Sequence, residues 1–356
     1  MDIDIFIQQA GRKVVLSLGL LAILMMVVGC GSSAQRGAER QQWLDDYLAA
    51  MRLESLDAED RLLELASTAR SKDQARTARF ERARLALRRD DVETARTRFQ
   101  ELWDQRQNDG TASRSLYELA RISIEYDGDF TRGEELLEKT ITETTPWAGS
   151  ELALDYLLRH HRAHHSVAAT EQRLADLIEV AKNNRMAAQL HYKRGRLLDE
   201  ELRRPDDALA QWRAAYKRCR DCYAADESLY QMGHLYARYQ RWESALQAWA
   251  IVAKRSDRAS FVGTYASQRA AQARYEMGMV ELLFRRDYDA ASGHFTTYIR
   301  RFPYHRHTDD AAWHLTQIER LRGDHRAYRR ALERFLDDYP DSRLAARARH
   351  QLQGLS

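Results

Sequence analysis

The chain has 356 residues, 44% hydrophobic and 31% charged, a length at which a single globular core stops growing and two domains or an extended array are required. Lysine occurs seven times, so 49 of the 56 basic residues are arginine, yet 53 acidic residues are interleaved with them and leave a net charge of only +3. That balance excludes a polybasic nucleic-acid module and predicts solvated helix faces laced with i,i+4 ion pairs.

Residues Val14 to Val28 are fifteen almost unbroken apolar positions, preceded by Arg12 and Lys13 and followed by Gly29-Cys30-Gly31-Ser32-Ser33. A helix of that length spans about 22 Å at 1.5 Å per residue, short of the ~30 Å hydrocarbon core, so a signal sequence is expected rather than a permanent span. The tetrapeptide Val27-Val28-Gly29-Cys30 resembles the bacterial lipobox. The resemblance implies cleavage between Gly29 and Cys30, a covalent lipid on Cys30, and, with Gly31 rather than aspartate next, sorting to the periplasmic face of the outer membrane. Residues 1–29 are thus expected to be a lipoprotein signal peptide and residues 30–40 a flexible lipidated tether.

From residue 41 to the end the sequence reads as helix, with no stretch of period-two alternation that would make a sheet. Six pairs place an aromatic three residues before a small or hydroxyl residue: Phe80/Ala83, Tyr117/Ala120, Tyr192/Gly195, Tyr230/Gly233, Tyr275/Gly278 and Trp313/Thr316. Each is answered by a small-to-large step: Ala95/Phe99, Gly133/Leu137, Ala208/Trp212, Ala245/Trp249, Ala291/Phe295 and, late in its unit, Ala331/Phe335. Where two antiparallel helices cross, one offers a hole and the other a knob, so each set predicts one helical hairpin. The small residues are separated by 37, 75, 38, 45 and 38 positions. The double step predicts a degenerate hairpin between residues 145 and 183, with Tyr156 as its aromatic and Arg159 where a small residue is expected.

The predicted pairs are 41–52 with 57–70, 74–89 with 91–107, 112–127 with 130–144, 149–163 with 167–182, 186–201 with 206–219, 223–240 with 242–256, 260–286 with 288–302 and 308–322 with 325–338. A capping helix is expected near 342–352. A lone hairpin cannot bury its apolar side, so hairpins stack. The expected fold is all-α: a helical-hairpin solenoid, a right-handed superhelix of about seven to eight hairpins, over residues 41–356.

Four histidines, His160, His161, His164 and His165, form two i,i+4 pairs, the spacing at which helical imidazoles can chelate a metal. A solvated helix terminus favoured by the helix dipole is the expected reading, with no bound metal. Cys219 and Cys222 form a CxxC without the βαβ setting of redox motifs or the following histidine of haem attachment. A structural disulfide is expected in an oxidising compartment, with free thiols or a metal or redox role as alternatives.

Leu229-Tyr230-Gln231-Met232-Gly233-His234-Leu235-Tyr236, with Ala245 and Trp249 beyond it, resembles the tetratricopeptide repeat, and looser copies extend from about residue 74 to 340. Phe295-x-x-Tyr298-x-x-x-Phe302-Pro303 and Phe335-Leu336-Asp337-Asp338-Tyr339-Pro340-Asp341-Ser342 are similar to the repeats of envelope tetratricopeptide proteins. That group includes the lipoprotein D subunit of the outer-membrane β-barrel assembly machinery and the periplasmic coordinator of the Tol-Pal system.

The resemblance implies a groove lined by the first helix of each hairpin, with Phe80, Tyr117, Tyr192, Tyr230, Tyr275 and Trp313 on or beside it. These rings would grip a peptide or simply pack neighbouring hairpins. Arg84, Arg121, Arg196, His234 and Arg238 would supply hydrogen-bonding rims. The implied function is a membrane-anchored periplasmic scaffold for envelope proteins or peptides, in envelope or outer-membrane protein assembly. An adaptor for pilus, secretin or peptidoglycan machinery is the rival within the binding class. A Gly-rich phosphate loop, HExxH and GxSxG are all missing, so no enzyme, no small-molecule substrate, no nucleic acid and no cofactor beyond the lipid on Cys30 are expected; a helical enzyme with an unrecognised site is the outside rival.

Overall fold

The computed structural model describes residues 37–52, 56–105, 109–144, 148–255 and 265–355. The expected signal peptide, Gly29, Cys30 and most of the tether lie outside the described residues. Among the described residues the chain is helical without a strand. Two compact units divide it, one holding the described residues up to Thr140 together with 147–153, the other residues 141–146 and everything from Leu154.

The first unit contains α1 (37–50), α2 (Leu56–Thr68), α3 (Lys72–Arg88), α4 (Val92–Asp104), α5 (Gly110–Glu125), most of α6 (Phe130–Glu143) and the start of α7 (Ala148–His164). The second continues through α8 (Val167–Val180), α9 (Asn184–Glu200), α10 (Pro205–Arg218), α11 (Tyr223–Arg238), α12 (Trp242–Arg255), α13 (Tyr265–Val280), α14 (Tyr288–Arg301), α15 (Thr308–Arg322), α16 (His325–Asp338) and α17 (Ala345–Gln353). Every predicted hairpin has its two helices, including the degenerate fourth as α7 and α8.

Three local readings are corrected. Residues 37–40, assigned above to the tether, form the first turn of α1, because Ala38, Glu39 and Arg40 are good helix formers and Glu39 pairs with Arg70. The helix expected over 260–286, of which residues 260–264 lie outside the described residues, is α13 and ends not as α-helix but in a π-helical turn, Glu281–Arg285. The capping helix starts at Ala345, after the Pro340 turn.

Asp and Ser caps start many of the helices. Asp91, Asp287 and Asp324 accept from the backbone N–H groups of Thr94, Ala290 and Ala327 at 3.2, 2.9 and 2.8 Å, satisfying donors that the first helical turn leaves free. The turn inside each of the six marked hairpins is closed by one left-handed residue: Asp90, Gly128, Arg203, Gln240, Arg286 and Gly323, with φ between 55° and 77°. The α7–α8 turn has no left-handed residue. The hairpin that the repeat pattern marked as degenerate thus also departs in backbone geometry.

The cores follow the small-to-large steps. In the first unit Phe80, Ala83, Ala95, Phe99 and Leu102 are buried together with Leu116 and Ile122. In the second, Trp212 and Trp249 are each 1% exposed, and their indole N–H groups donate to the carbonyls of Tyr192 (3.3 Å) and Tyr230 (3.1 Å). Those carbonyls stand three residues before Gly195 and Gly233. A Cβ at Gly195 would lie 2.5 Å from Trp212 Nε1, and one at Gly233 2.2 Å from Trp249 Nε1, so the glycines are the holes that admit the indoles. Phe295 closes on Gly278 in the same way, a Cβ there standing 2.7 Å from its ring, whereas in the first unit Ala83 and Ala120 occupy the corresponding positions.

Candidate functional site

The first helices of the hairpins carry the residues expected to line a groove. Five of the six rings are buried, at 1% exposure for Phe80, 5% for Tyr192, 6% for Trp313 and 8% for Tyr117 and Tyr230; Tyr275 is half-buried. Of the two roles open to the rings, gripping a peptide or packing neighbouring hairpins, their burial fits packing. At five of the six rings the following element also places a polar group against the ring.

In the first unit the Arg114 guanidinium sits 4.1 Å from the Phe80 centroid. In the second, Arg269 lies 4.7 Å over Tyr230 and Arg347 5.5 Å over Trp313. The Tyr192 hydroxyl donates to Glu227 at 3.3 Å, and Tyr275 stacks on His307 and meets His314 Nε2 at 3.1 Å. A cation over a desolvated ring contributes about 2 kcal/mol, so at Phe80, Tyr230 and Trp313 this device couples a hairpin to the element that follows it.

The polar rim residues are more open. Arg84, Arg121, Arg196 and Arg238 have side chains 40%, 32%, 42% and 50% exposed. Each is paired: Arg84 with Glu81 (3.1 Å), Arg121 with Glu118 (3.0 Å) and Glu125 (2.7 Å), Arg196 with Glu200 (2.7 Å), and Arg238 with Asp199. Burial raises the Glu118 carboxyl above its ordinary range despite the opposing charge of Arg121. His234 is not a rim group; its ring is wedged between Tyr230 (4.5 Å) and Trp249 (5.3 Å), and burial, then the Arg269 charge, lowers its pKa. Within each unit, Arg84 and Arg121 in the first and Arg196 and Arg238 in the second, the result is a pair of part-exposed guanidinium groups beside carboxylates that can exchange internal ion pairs for those of a peptide.

Sequence reasoning missed three groups here. Glu227, 1% exposed, takes a bidentate bond from Arg269, 42 residues away. Glu81, 2% exposed, faces both Arg84 and Arg114. Glu59 receives Arg82, Arg89 and Arg98 at 3.3, 2.8 and 2.6 Å. Burial pushes the Glu59 pKa up, but the bonds and charge of Arg98, with Arg89 and Arg82, win and hold it below the usual range. The recurrence of an arginine 34 residues after a marker ring (Phe80 to Arg114, Trp313 to Arg347) is the signal that could have found the first of these devices.

The histidines of α7 stack in pairs, His160 with His164 at 4.5 Å and His161 with His165 at 4.2 Å. His161 is 9% exposed and its Nδ1 faces the Thr170 hydroxyl at 3.1 Å, so it serves the α7–α8 packing and is not a solvated terminus. Cys219 and Cys222 have Cα atoms 5.7 Å apart, inside the span a disulfide bridges, and their Sγ atoms are in contact.

A second cluster gathers histidines around Tyr275. His307 Nδ1 bonds Asp310 at 3.0 Å, Asp310 bonds Arg343 at 2.7 Å, and His305 meets the Tyr298 hydroxyl. Burial, with the Arg274 charge, lowers His294 to about 4, and burial also lowers His191, His305 and His314. A histidine depressed in the folded state contributes stability that is complete above its unfolded pKa of ~6.5 and is lost as pH falls through the folded value. Unfolding free energy is expected to drop between pH 6.5 and 4, with about 2–3 kcal/mol from His294 after allowance for its partial exposure. Denaturant titrations across that range should show the loss, and His294→Gln should remove its share of the slope.

The tetratricopeptide repeat family matches residues 310–342, the span of α15 and α16. No curated protein sequence matches the chain. Among solved structures, a signal-transduction ATPase with numerous domains and a tetratricopeptide repeat sensor, from Pyrococcus horikoshii, is 14% identical at a TM-score of 0.46, over 85% of this chain and 47% of that one. The chain thus spans about half the length of that protein. Human IFIT1, solved as a dimer with PPP-AAAA, is 12% identical at 0.42, over 84% and 78%. BtubC from P. vanneervenii is 13% identical at 0.37, over 82% and 92%. These likenesses carry no functional argument. The hairpin geometry and the repeat match together make the fold a tetratricopeptide-like helical solenoid.

Proposed function

We propose that this chain is a protein-binding scaffold, held by a lipid on Cys30 to the periplasmic face of the outer membrane, that engages envelope proteins during their assembly. The observation that supports it most is, within each unit, a part-exposed guanidinium on each of two neighbouring hairpins, Arg84 and Arg121 in the first unit and Arg196 and Arg238 in the second, each beside a carboxylate. Within a unit, such pairs on neighbouring hairpins read the charge pattern of an extended or helical segment, while the buried rings stiffen the hairpins so that little ordering entropy is lost on binding. The lipobox-like Val27-Val28-Gly29-Cys30 supports the anchor.

The test uses the full chain in cells. A photocrosslinking residue at Arg121 or Arg196 is expected to capture envelope proteins, and the same residue at the exposed outer position Arg132 is not. Cys30→Ser is expected to abolish acylation and release the protein from the outer-membrane fraction. Equal capture at all three positions would sink the groove reading, and acylated, membrane-bound Cys30→Ser protein would sink the anchor.

A further inference from the structure

The turns inside the second unit's hairpins fall on one edge. Arg238, at the end of α11, bonds Asp199, at the end of α9; Trp242 stacks on Phe284 at 4.3 Å; Arg285 bonds Glu243 at 2.9 Å; and Arg322 bonds Asp289. Each contact joins one hairpin's turn region to the next.

Along this edge stand Arg203, Arg241 and Arg286, one on each of three consecutive hairpins, all exposed and, among the described residues, none bonded to a carboxylate. The neighbouring acids are already committed: Asp207 to Arg204, Glu243 to Arg285, Asp289 to Arg322, Asp287 and Asp324 to helix caps. Asp206 is the unengaged acid against those three cations. Between the cations, Tyr239 is 54% and Phe284 57% exposed.

Arg203 (φ 55°), Gln240 (φ 58°) and Arg286 (φ 56°) occupy the left-handed position that Gly128 and Gly323 fill in equivalent turns, so a change to glycine at Arg203 or Arg286 removes a cation without straining the backbone.

We propose that this turn edge docks on an anionic phospholipid surface. Guanidinium groups meet lipid phosphates bidentately, and half-exposed aromatic rings settle at the headgroup level, which is the chemistry this row presents. The proposal deepens the anchored reading above, and its readout does not depend on the anchor.

The full chain is mixed with vesicles of phosphatidylcholine alone or of phosphatidylcholine with phosphatidylglycerol, and amide exchange is followed by mass spectrometry. Exchange at residues 201–204, 239–242 and 284–287 is expected to slow on the anionic vesicles only, and to recover in high salt. In Arg203→Gly/Arg241→Gln/Arg286→Gly the docking constant is expected to fall on the order of a hundredfold, at about fivefold per arginine. Because glycine suits two of those backbones, Tm should be unchanged or higher, which separates lost docking from lost folding. Equal exchange on both vesicles would overturn the proposal, as would slowing produced by a free acidic peptide or oligonucleotide and not by the anionic vesicles. Failure of the anchor alone would appear as loss of the chain from neutral vesicles, with the charge-dependent difference intact.

Discussion

Truncating Trp249 to alanine is expected to destabilise the second unit by about 3–5 kcal/mol, the range for emptying a large buried aromatic site. The indole is 1% exposed, and its N–H donates to the Tyr230 carbonyl at 3.1 Å, so the variant opens a cavity and also removes that carbonyl's partner. The companion variant Gly233→Ala tests the fit from the other side. In an exposed helix this change stabilises by about 1 kcal/mol. Here the added Cβ would stand 2.2 Å from Trp249 Nε1, and the expected outcome is a net loss of about 1–3 kcal/mol. Combining Gly233→Ala with Trp249→Phe recreates the Ala83/Phe99 arrangement of the first unit and should recover part of that loss. Urea unfolding of the parent, Gly233→Ala, Trp249→Phe and the double variant checks the cycle, and additive losses would show that residue 233 does not set the room for the knob.

Arg269→Met is expected to cost about 3–5 kcal/mol at neutral pH, because it leaves Glu227 buried at 1% exposure without its cation. The Tyr192 hydroxyl, 3.3 Å away, cannot replace a guanidinium. The variant also has a pH signature of known sign. A buried, unpaired carboxyl has its folded pKa raised above the unfolded value of about 4.3, so the penalty is absent below that value and grows as pH rises toward the folded pKa. The variant should therefore recover stability relative to the parent between pH 7 and 5, in the window where the parent's depressed histidines lose it. Denaturant melts of both proteins at the two pH values distinguish a stranded charge from a simple packing loss. A deficit that is the same at both would rule out the stranded carboxylate.

The six rings show where sequence reading reached and where it stopped. The step from Tyr230 to Gly233, and from Ala245 to Trp249, is local; it records how one hairpin closes and was legible in full. The degenerate hairpin at α7 and α8 was legible as a gap in the spacing, and its turn without a left-handed residue shows the same divergence in the backbone. Whether the rings faced a groove or a neighbour was not legible, since the deciding groups, Arg114, Arg269 and Arg347, belong to the following hairpin. His234 was read as a rim residue because its helical position fits one. Its ring is instead packed edge-on against Tyr230 and Trp249.

The helical hairpins, their number and their order were determined by the sequence alone, because apolar periodicity, caps and hole-and-knob steps act within about forty residues. The tertiary structure decided which charges meet. Turns and helices differ by a few residues from hairpin to hairpin, so the partner of Glu227 stands 42 positions away while Arg114 stands 34 from Phe80. A contact between neighbouring hairpins depends on how their axes are stacked, and no spacing within one hairpin encodes that.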